Sequence, residues 1–460
     1  MDGERVDAGV HEELEANDCD SARLRQAPGG SGARLAVAMV IWDYWPGHEG
    51  GAQRQCRKLS HALAQRGIRV VILTQRTRWL RRPPVADHGT RIVRLGMLAP
   101  LASCALRLSR CKARWRRRSG GDLRRQDHAR RGGATAPLWW LARFSFMRAA
   151  RRYIRRHGRV LDLLHAHESN WISGFASWLG SRASLPVVCK AATIPCLPSI
   201  GAGVPTRARL EHWRLRPHFI ALNDEMAGDL EDAGVDASRI HRIANGVEIP
   251  PGPAPAGSNV QVLLVANFTQ SHQAKAYDVL LQAWSRVAAA EPQARLEMIG
   301  RGDHRAWRDL ARQLGCADSI SFPGFSGMEE HYRRAAMLVL PSRREGMSNA
   351  LLEAQSWGVP AVVSAIPGNL AVVRHEHNGL VFPLDDSEAL ARSILRLLRE
   401  PLLRAELGRR ARERMAADFS IDAIGDQTIN LYRRLKGTPP PGARRPSAGE
   451  KSGGILSPDR

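Results

Sequence analysis

The chain has 460 residues, 43% of them hydrophobic, enough for two or three globular domains with cores of their own. No run approaches the roughly 18–20 apolar residues of a membrane span, and the acidic, polar N-terminus carries no signal-peptide pattern, so a cytoplasmic protein is expected, peripheral to the inner face of a membrane if it meets one. The net charge of +23 suggests nucleic acid at first, but 24 Lys/Arg against 3 Asp/Glu fall between Arg76 and Val160, and the rest of the chain is close to neutral.

Residues 1–33 are polar and Gly-rich at their end and read as a disordered tail. The run ARLAVAMVIWDYW (33–45) suits a buried strand, PGHEGGAQ a loop, and Leu59, Leu63 and Ala64 a helix stopped by Gly67. IRVVILTQ (68–75) is the next strand, and this βαβ start implies a parallel sheet. The basic segment 76–160 reads as an insertion, with helices over 101–118 and 136–156 and a mobile loop at 116–134 between them. LDLLHAH, LPVVCKAA and HFIALN continue the strands, giving a first Rossmann-like domain over 34–245. The Pro/Gly-rich stretch 246–258 reads as a linker.

A second alternation spans 259–418, with strands at VQVLLVANF, ARLEMIG, SISFPG, MLVLPS and PAVVS. The segment 419–436 is a terminal helix expected to pack back on the first domain, and 437–460 a disordered tail. The fold class is therefore α/β, two doubly wound domains facing across a cleft, with ligands at the facing C-terminal strand ends. Seven scattered cysteines without a CxxC pair fit a reducing compartment.

The stretch PSRREGMSNALLEAQSWGVPAVVS (341–364) carries Glu345 at a strand end and Glu353 on the following helix. Eight helical residues span about 12 Å, roughly a nucleotide diphosphate-sugar from ribose to hexose. The unpaired amides of Ser348, Asn349 and Ala350 at the helix start suit the diphosphate between the two carboxylates. Gly50 and Gly51, after the first strand, would let backbone approach the same anion.

These residues resemble the retaining, nucleotide-sugar-dependent glycosyltransferases of the GT-B fold, family four (group 1 type). The family signature PS-x-x-EG…LEA…G-x-P-V-V-x-S with E-x7-E is almost complete here. The resemblance covers most of 34–436. It implies that Glu345 meets hydroxyls of the donor sugar, that Glu353 holds the ribose, and that Gly346, Met347, Ser348, Asn349 and Ala350 lie along the donor. It places Gly50 and Gly51 near the diphosphate, His167 of LLHAHESN at the acceptor side, Gly300 and Arg301 of MIGRGD in a donor loop, and backbone near Phe325 at the base. Lys275 fits the family's diphosphate lysine, but Asn267 stands where an arginine is expected, and CKAAT (189–193) lacks a histidine common at that strand end.

The resemblance thus implies an enzyme, hexosyltransferase-like, retaining and metal-independent, that builds cell-surface polysaccharide or glycolipid on a glycan or lipid-linked acceptor. Glu345, Lys275 and His167 are its candidate catalytic residues. No cofactor is expected beyond the donor substrate, and the only literal D-x-D, Asp18-Cys19-Asp20, precedes every strand. Asn267 motivates an alternative, a catalytically silent sugar-nucleotide-binding homologue. The basic segment has three readings: a solvated insertion, an anionic-membrane patch of arginines with Trp115, Trp139, Trp140, Phe144 and Phe146, or a nucleic-acid surface. Nucleic acid is not an expected partner, since no binding module accompanies the charge.

Overall fold

The computed structural model describes residues 35–46, 50–76, 85–96, 136–197, 207–252, 260–268, 272–325 and 327–436. The expected tails, the Asp18-Cys19-Asp20 motif, the expected helix 101–118 with Trp115, the loop 116–134, residues 253–258 of the linker and the side chain of Trp139 lie outside the described residues.

The first sheet has the order β3-β4-β2-β1-β5-β6-β7-β8. Its strands are β1 (Ala36–Val40), β2 (Arg69–Gln75), β3 (Ala86–Asp87), β4 (Thr90–Leu95), β5 (Leu163–Ala166), β6 (Val187–Lys190), β7 (His218–Ala221) and β8 (Ile240–Arg242). All pairs are parallel except the β3–β4 hairpin. Central strands of a parallel sheet are apolar on both faces. Along β1, Val37 and Met39 face a core with Leu59 and Leu63 of α1 (Gly51–Gln65), while Ala36, Ala38 and Val40 join Phe146 of α2 (Ala136–His157) and Phe175 of α3 (Trp171–Ala183).

The segment 76–160 is thus not simply an insertion. Its residues Thr90–Leu95 form β4, paired with β2 from Val71↔Arg91 to Gln75↔Leu95, and its second helix supplies Phe146, Ala150 and Ile154 to the core. Arg91 and Arg94 interrupt the apolar run and only Thr90 and Ile92 of the strand are buried, so its sequence lacks the pattern of a central strand.

The second sheet, order β11-β10-β9-β12-β13-β14, is parallel throughout. It comprises β9 (Gln261–Val265), β10 (Arg295–Ile299), β11 (Ile320–Ser321), β12 (Ala335–Leu340), β13 (Ala361–Ser364) and β14 (Gly379–Phe382). Leu280 and Trp284 of α5 (Tyr277–Ala290) pack under Val262, Leu264 and Met298, together with Leu390 and Ile394 of α7 (Ser387–Arg399). Here α4 is Asp224–Asp232 of the first domain and α6 is Asn349–Ser356, which follows β12. A helix that the sequence reading passed over, α8 (Pro401–Asp418), follows α7.

The last helix, α9 (Ile421–Leu435), lies on the first domain. Arg66 at the end of α1 donates to Asp426 (2.7 Å) and Asp422 (2.9 Å), and the Tyr432 hydroxyl meets His165 Nδ1 at 2.5 Å. Where the chain crosses between the domains, Val247 pairs with Ser420, and Val247 N donates to Phe419 O at 2.9 Å.

Candidate active site

A cleft of about 380 Å³ lies between the two sheets at their C-terminal strand ends. On the first-domain wall stand the opening turn of α1 and the ends of β5 and β6. Gly51, Arg54 and Gln55 come from α1, His167 from the end of β5 and Lys190 from β6. On the second-domain wall stand Asn267 after β9, Lys275, Phe325, and the run Glu345, Met347, Ser348, Asn349, Ala350 and Glu353. Most of the expected site residues are therefore brought to one cavity.

Both glutamates turn inward. Their side chains are only 16% and 19% exposed, and each has polar partners. Glu345 pairs with Lys275. Glu353 lies 3.3 Å from Lys58 Nζ and 3.7 Å from an Arg54 nitrogen, both from α1 across the cleft, and accepts from the Tyr332 hydroxyl at 3.3 Å.

The helix between them begins later than its sequence suggests. Ser348 is the N-cap, its hydroxyl accepting from Leu351 N at 3.4 Å, and the first helical residue is Asn349. Residues 345–348 form a loop, so the 12 Å straight helical span does not apply. The Ser348 hydroxyl takes the Leu351 amide, which leaves the amides of Ser348, Asn349 and Ala350 without an intrahelical acceptor.

The Asn349 side chain ties the walls together. It accepts from Gln55 Nε2 (2.9 Å) and Asn245 Nδ2 (3.3 Å), and donates to the Gly51 carbonyl at 3.3 Å. A Cβ on Gly51 would sit 3.1 Å from Asn349 Nδ2, so the contact favours glycine there.

Four expected donor residues stand beside the cavity rather than in its wall. Gly50 is the N-cap of α1, its carbonyl accepting from Arg54 N at 3.0 Å. Gly346 offers its carbonyl to Asn223 Nδ2 at 2.7 Å. Gly300 is pressed on backbone, where a Cβ would lie 1.8 Å from the Ala266 carbonyl oxygen, so its glycine serves the approach of two loops. Arg301 sets its guanidinium 5.2 Å from the Phe325 ring centroid, with Arg54 at 5.6 Å from the same ring. Asn267, where the family's arginine would be, is exposed, and its Oδ1 accepts from Arg301 N at 3.3 Å.

The histidines are deeply buried. His167 is 2% exposed and stacks on His165 with centroids 4.2 Å apart; the Nε2 atoms of both have no partner among the described residues. Burial, then His165 and Lys190, hold His167 well below the ordinary histidine range, and burial takes His165 down to about 3. Both rings are neutral near pH 7.

On the first-domain side the sequence reading named Gly51 and His167 but missed Arg54, Gln55, Lys58 and Lys190. Arg54, Gln55 and Lys58 follow Gly51 at helical spacing, a signal that was readable. Lys190 follows the apolar run VVC in a buried strand, and a charge there is itself a signal.

Two Rossmann-like sheets joined by a double crossing, with a polar cleft at their facing strand ends, define the GT-B architecture. Residues 49–249 match Glycosyltransferase Family 4 and residues 259–400 match Glycosyl transferases group 1. A D-inositol 3-phosphate glycosyltransferase of Salinispora arenicola is 30% identical over 308 residues, 59% of this chain and 68% of that protein. The structure resembles sucrose-phosphate synthase of Thermosynechococcus elongatus (TM-score 0.64, 23% identity, 87% of this chain and 99% of that one). It also resembles Anabaena HepE in complex with UDP-glucose (TM-score 0.62, 15% identity, 87% and 100%). The chain belongs to the group 1, family four glycosyltransferases, and it is a glycosyltransferase of the GT-B fold.

Proposed function

We propose that the chain transfers a sugar, with retention and without a metal, from a nucleoside diphosphate-sugar to a hydroxyl of a glycan or lipid-linked acceptor in cell-surface polysaccharide or glycolipid synthesis. The observation that carries this reading is the pair of inward-facing glutamates in one cleft with a helix start between them. Glu353 takes the ribose diol and Glu345 the sugar hydroxyls. The amides of Asn349 and Ala350, those at Gly51, and the Lys275 ammonium face the diphosphate as fixed dipoles and one cation. As the bond from the anomeric carbon to the phosphate oxygen breaks, the acceptor oxygen bonds to that carbon on the same face. The leaving phosphate keeps the electron pair and takes the acceptor's proton. His167, neutral and in the cleft wall, positions the acceptor side.

The names of the relatives guide the first probes: UDP-glucose, bound by HepE, and inositol phosphate, named for the Salinispora enzyme. A thermal-shift screen of nucleotide-sugars should find a donor, with about 2.7 kcal/mol of stabilisation at 100 times its Kd. Sugar transfer or donor hydrolysis should follow and should fall at least a hundredfold in Glu345→Ala. Tight donor binding by the wild type with neither transfer nor hydrolysis would favour the silent homologue. Absence of any nucleotide-sugar binding would end the reading.

A further inference from the structure

Lys190 is one of six lysines in the chain. It is 5% exposed at the end of β6, yet it lines the cleft. Three cations line this cavity, and two of them already face carboxylates: Lys275 meets Glu345, and Arg54 meets Glu353. Among the described residues, none places a carboxylate within ion-pair distance of Lys190. The groups that face it are Cys56 from α1 and His165 and His167 from β5. Burial keeps the histidines neutral and pushes the Cys56 thiol up, so none of the three supplies a countercharge.

A buried cation without an anion is costly unless a ligand completes it. The surroundings suit an oxyanion. The N-cap of α1 is Gly50, so no side chain among the described residues caps the first amides of that 15-residue helix. His167 Nε2, buried and without a partner, stands in the same wall. Across the cleft, the family's arginine is replaced by the exposed, neutral Asn267, and Arg301 is turned onto Phe325. The second-domain wall therefore has only Lys275, already paired with Glu345, while the first-domain wall holds a cation without a carboxylate partner among the described residues.

We infer that Lys190 supplies, from the first-domain wall, the cation that holds a substrate phosphate oxygen, in place of the arginine missing at position 267. The phosphate belongs either to the donor diphosphate or to a phosphoryl group on the acceptor; the donor case rests on the proposed function. Burial brings the ammonium down to about 8, and an anion bound beside it would raise it again. Binding therefore draws in a proton near pH 8.

The test is calorimetry on the full chain and its Lys190→Gln and Lys190→Arg variants. The probes are uridine, UDP, GDP, UDP-glucose, inorganic phosphate and inositol 3-phosphate, at pH 8 in two buffers of different ionisation enthalpy. Lys190→Gln should weaken a phosphate-bearing probe at least tenfold and leave uridine within twofold. Wild type should take up about half a proton on binding, and Lys190→Gln none. Lys190→Arg, charged at every pH used, should keep affinity without proton uptake, which a merely structural lysine would not produce. Loss confined to the nucleotides assigns the donor diphosphate, and loss confined to inorganic and inositol phosphate assigns the acceptor. Lys190→Gln binding every probe within twofold, with unchanged proton uptake, overturns the inference. If Glu353→Gln loses UDP while Lys190→Gln keeps all probes, the functional reading stands and this one falls. If wild type binds no nucleotide but Lys190→Gln loses inorganic phosphate, the reverse holds. Wild type binding none of the probes overturns both.

Discussion

Glu353→Gln is the sharpest single perturbation of the cleft. The substitution keeps shape and one acceptor oxygen but removes the charge. In the structure that charge faces Lys58 at 3.3 Å and Arg54 at 3.7 Å, with the side chain 19% exposed. A hydrogen bond to a charged group contributes about 1.5–3 kcal/mol. Two ribose hydroxyls on one carboxylate, less what a neutral amide retains, leave a net loss of about 2 kcal/mol, or roughly thirtyfold in Kd. The two ion pairs are partly solvated and their loss costs stability on the order of 1 kcal/mol, so melting should shift by only a few degrees. The assay is calorimetric binding of UDP and of 2′,3′-dideoxy-UDP by wild type and variant. Wild type should discriminate against the dideoxy nucleotide, and the variant should not, which isolates the carboxylate–diol coupling. Binding of UDP by Glu353→Gln within threefold of wild type, or undiminished discrimination, would refute the assignment.

Gly300→Ala would drive a Cβ to 1.8 Å from the Ala266 carbonyl oxygen; backbone must move, and chemical denaturation should show a loss of about 3 kcal/mol or no soluble protein. Asp87, 4% exposed in its side chain, accepts from Arg57 (2.7 and 3.1 Å), His61 (2.8 Å) and His88 (2.9 Å). Burial raises its carboxyl, but these partners outweigh burial and hold it well below the usual range. A depressed folded value means that its stabilisation is present above the unfolded value near 3.9 and is lost as pH falls below it. Melting curves from pH 6 to pH 2 should therefore fall more steeply for wild type than for Asp87→Asn, and parallel curves would remove the claim; at pH 7 the variant should lose about 2 kcal/mol. On α2, Trp140 and Phe144 stack at 6.1 Å, and Leu141 and Phe144 are exposed beside Arg148, Arg152, Arg155 and Arg156. This face should bind anionic vesicles and be released by salt, and equal sedimentation with neutral vesicles would exclude it. No described helix is long and apolar enough to cross a membrane.

The two-sheet architecture was readable because parallel strands are short apolar runs bounded by glycine turns, as AVAMV and QVLLV are. Elements that carry charge escaped. In β4, Arg91 and Arg94 break the apolar run and only Thr90 and Ile92 are buried, and α8 buries only a narrow stripe of Leu407, Ala411 and Met415 among arginines and glutamates. The glutamate pair was visible because both members sit in one local stretch. The partners of Glu353 were not, since Lys58 lies 295 residues away and meets it only after the sheets have docked. Likewise nothing local says that Arg301 turns to a phenyl ring, or that Gly300 is pinned to a neighbouring carbonyl.

The two covalent passages between the lobes run side by side, with Val247 of one bonded to Phe419 and Ile421 of the other at 2.9 and 2.8 Å. Such a joint behaves like a door hung on a single pin. It resists sliding and stretching, and the displacement that disturbs it least is a swing about that point. The jaw tips farthest from the pin then travel most. A cut or truncation that removed the final helix would take away half of the pin and also strip Leu431 and Tyr432 from the first lobe's core.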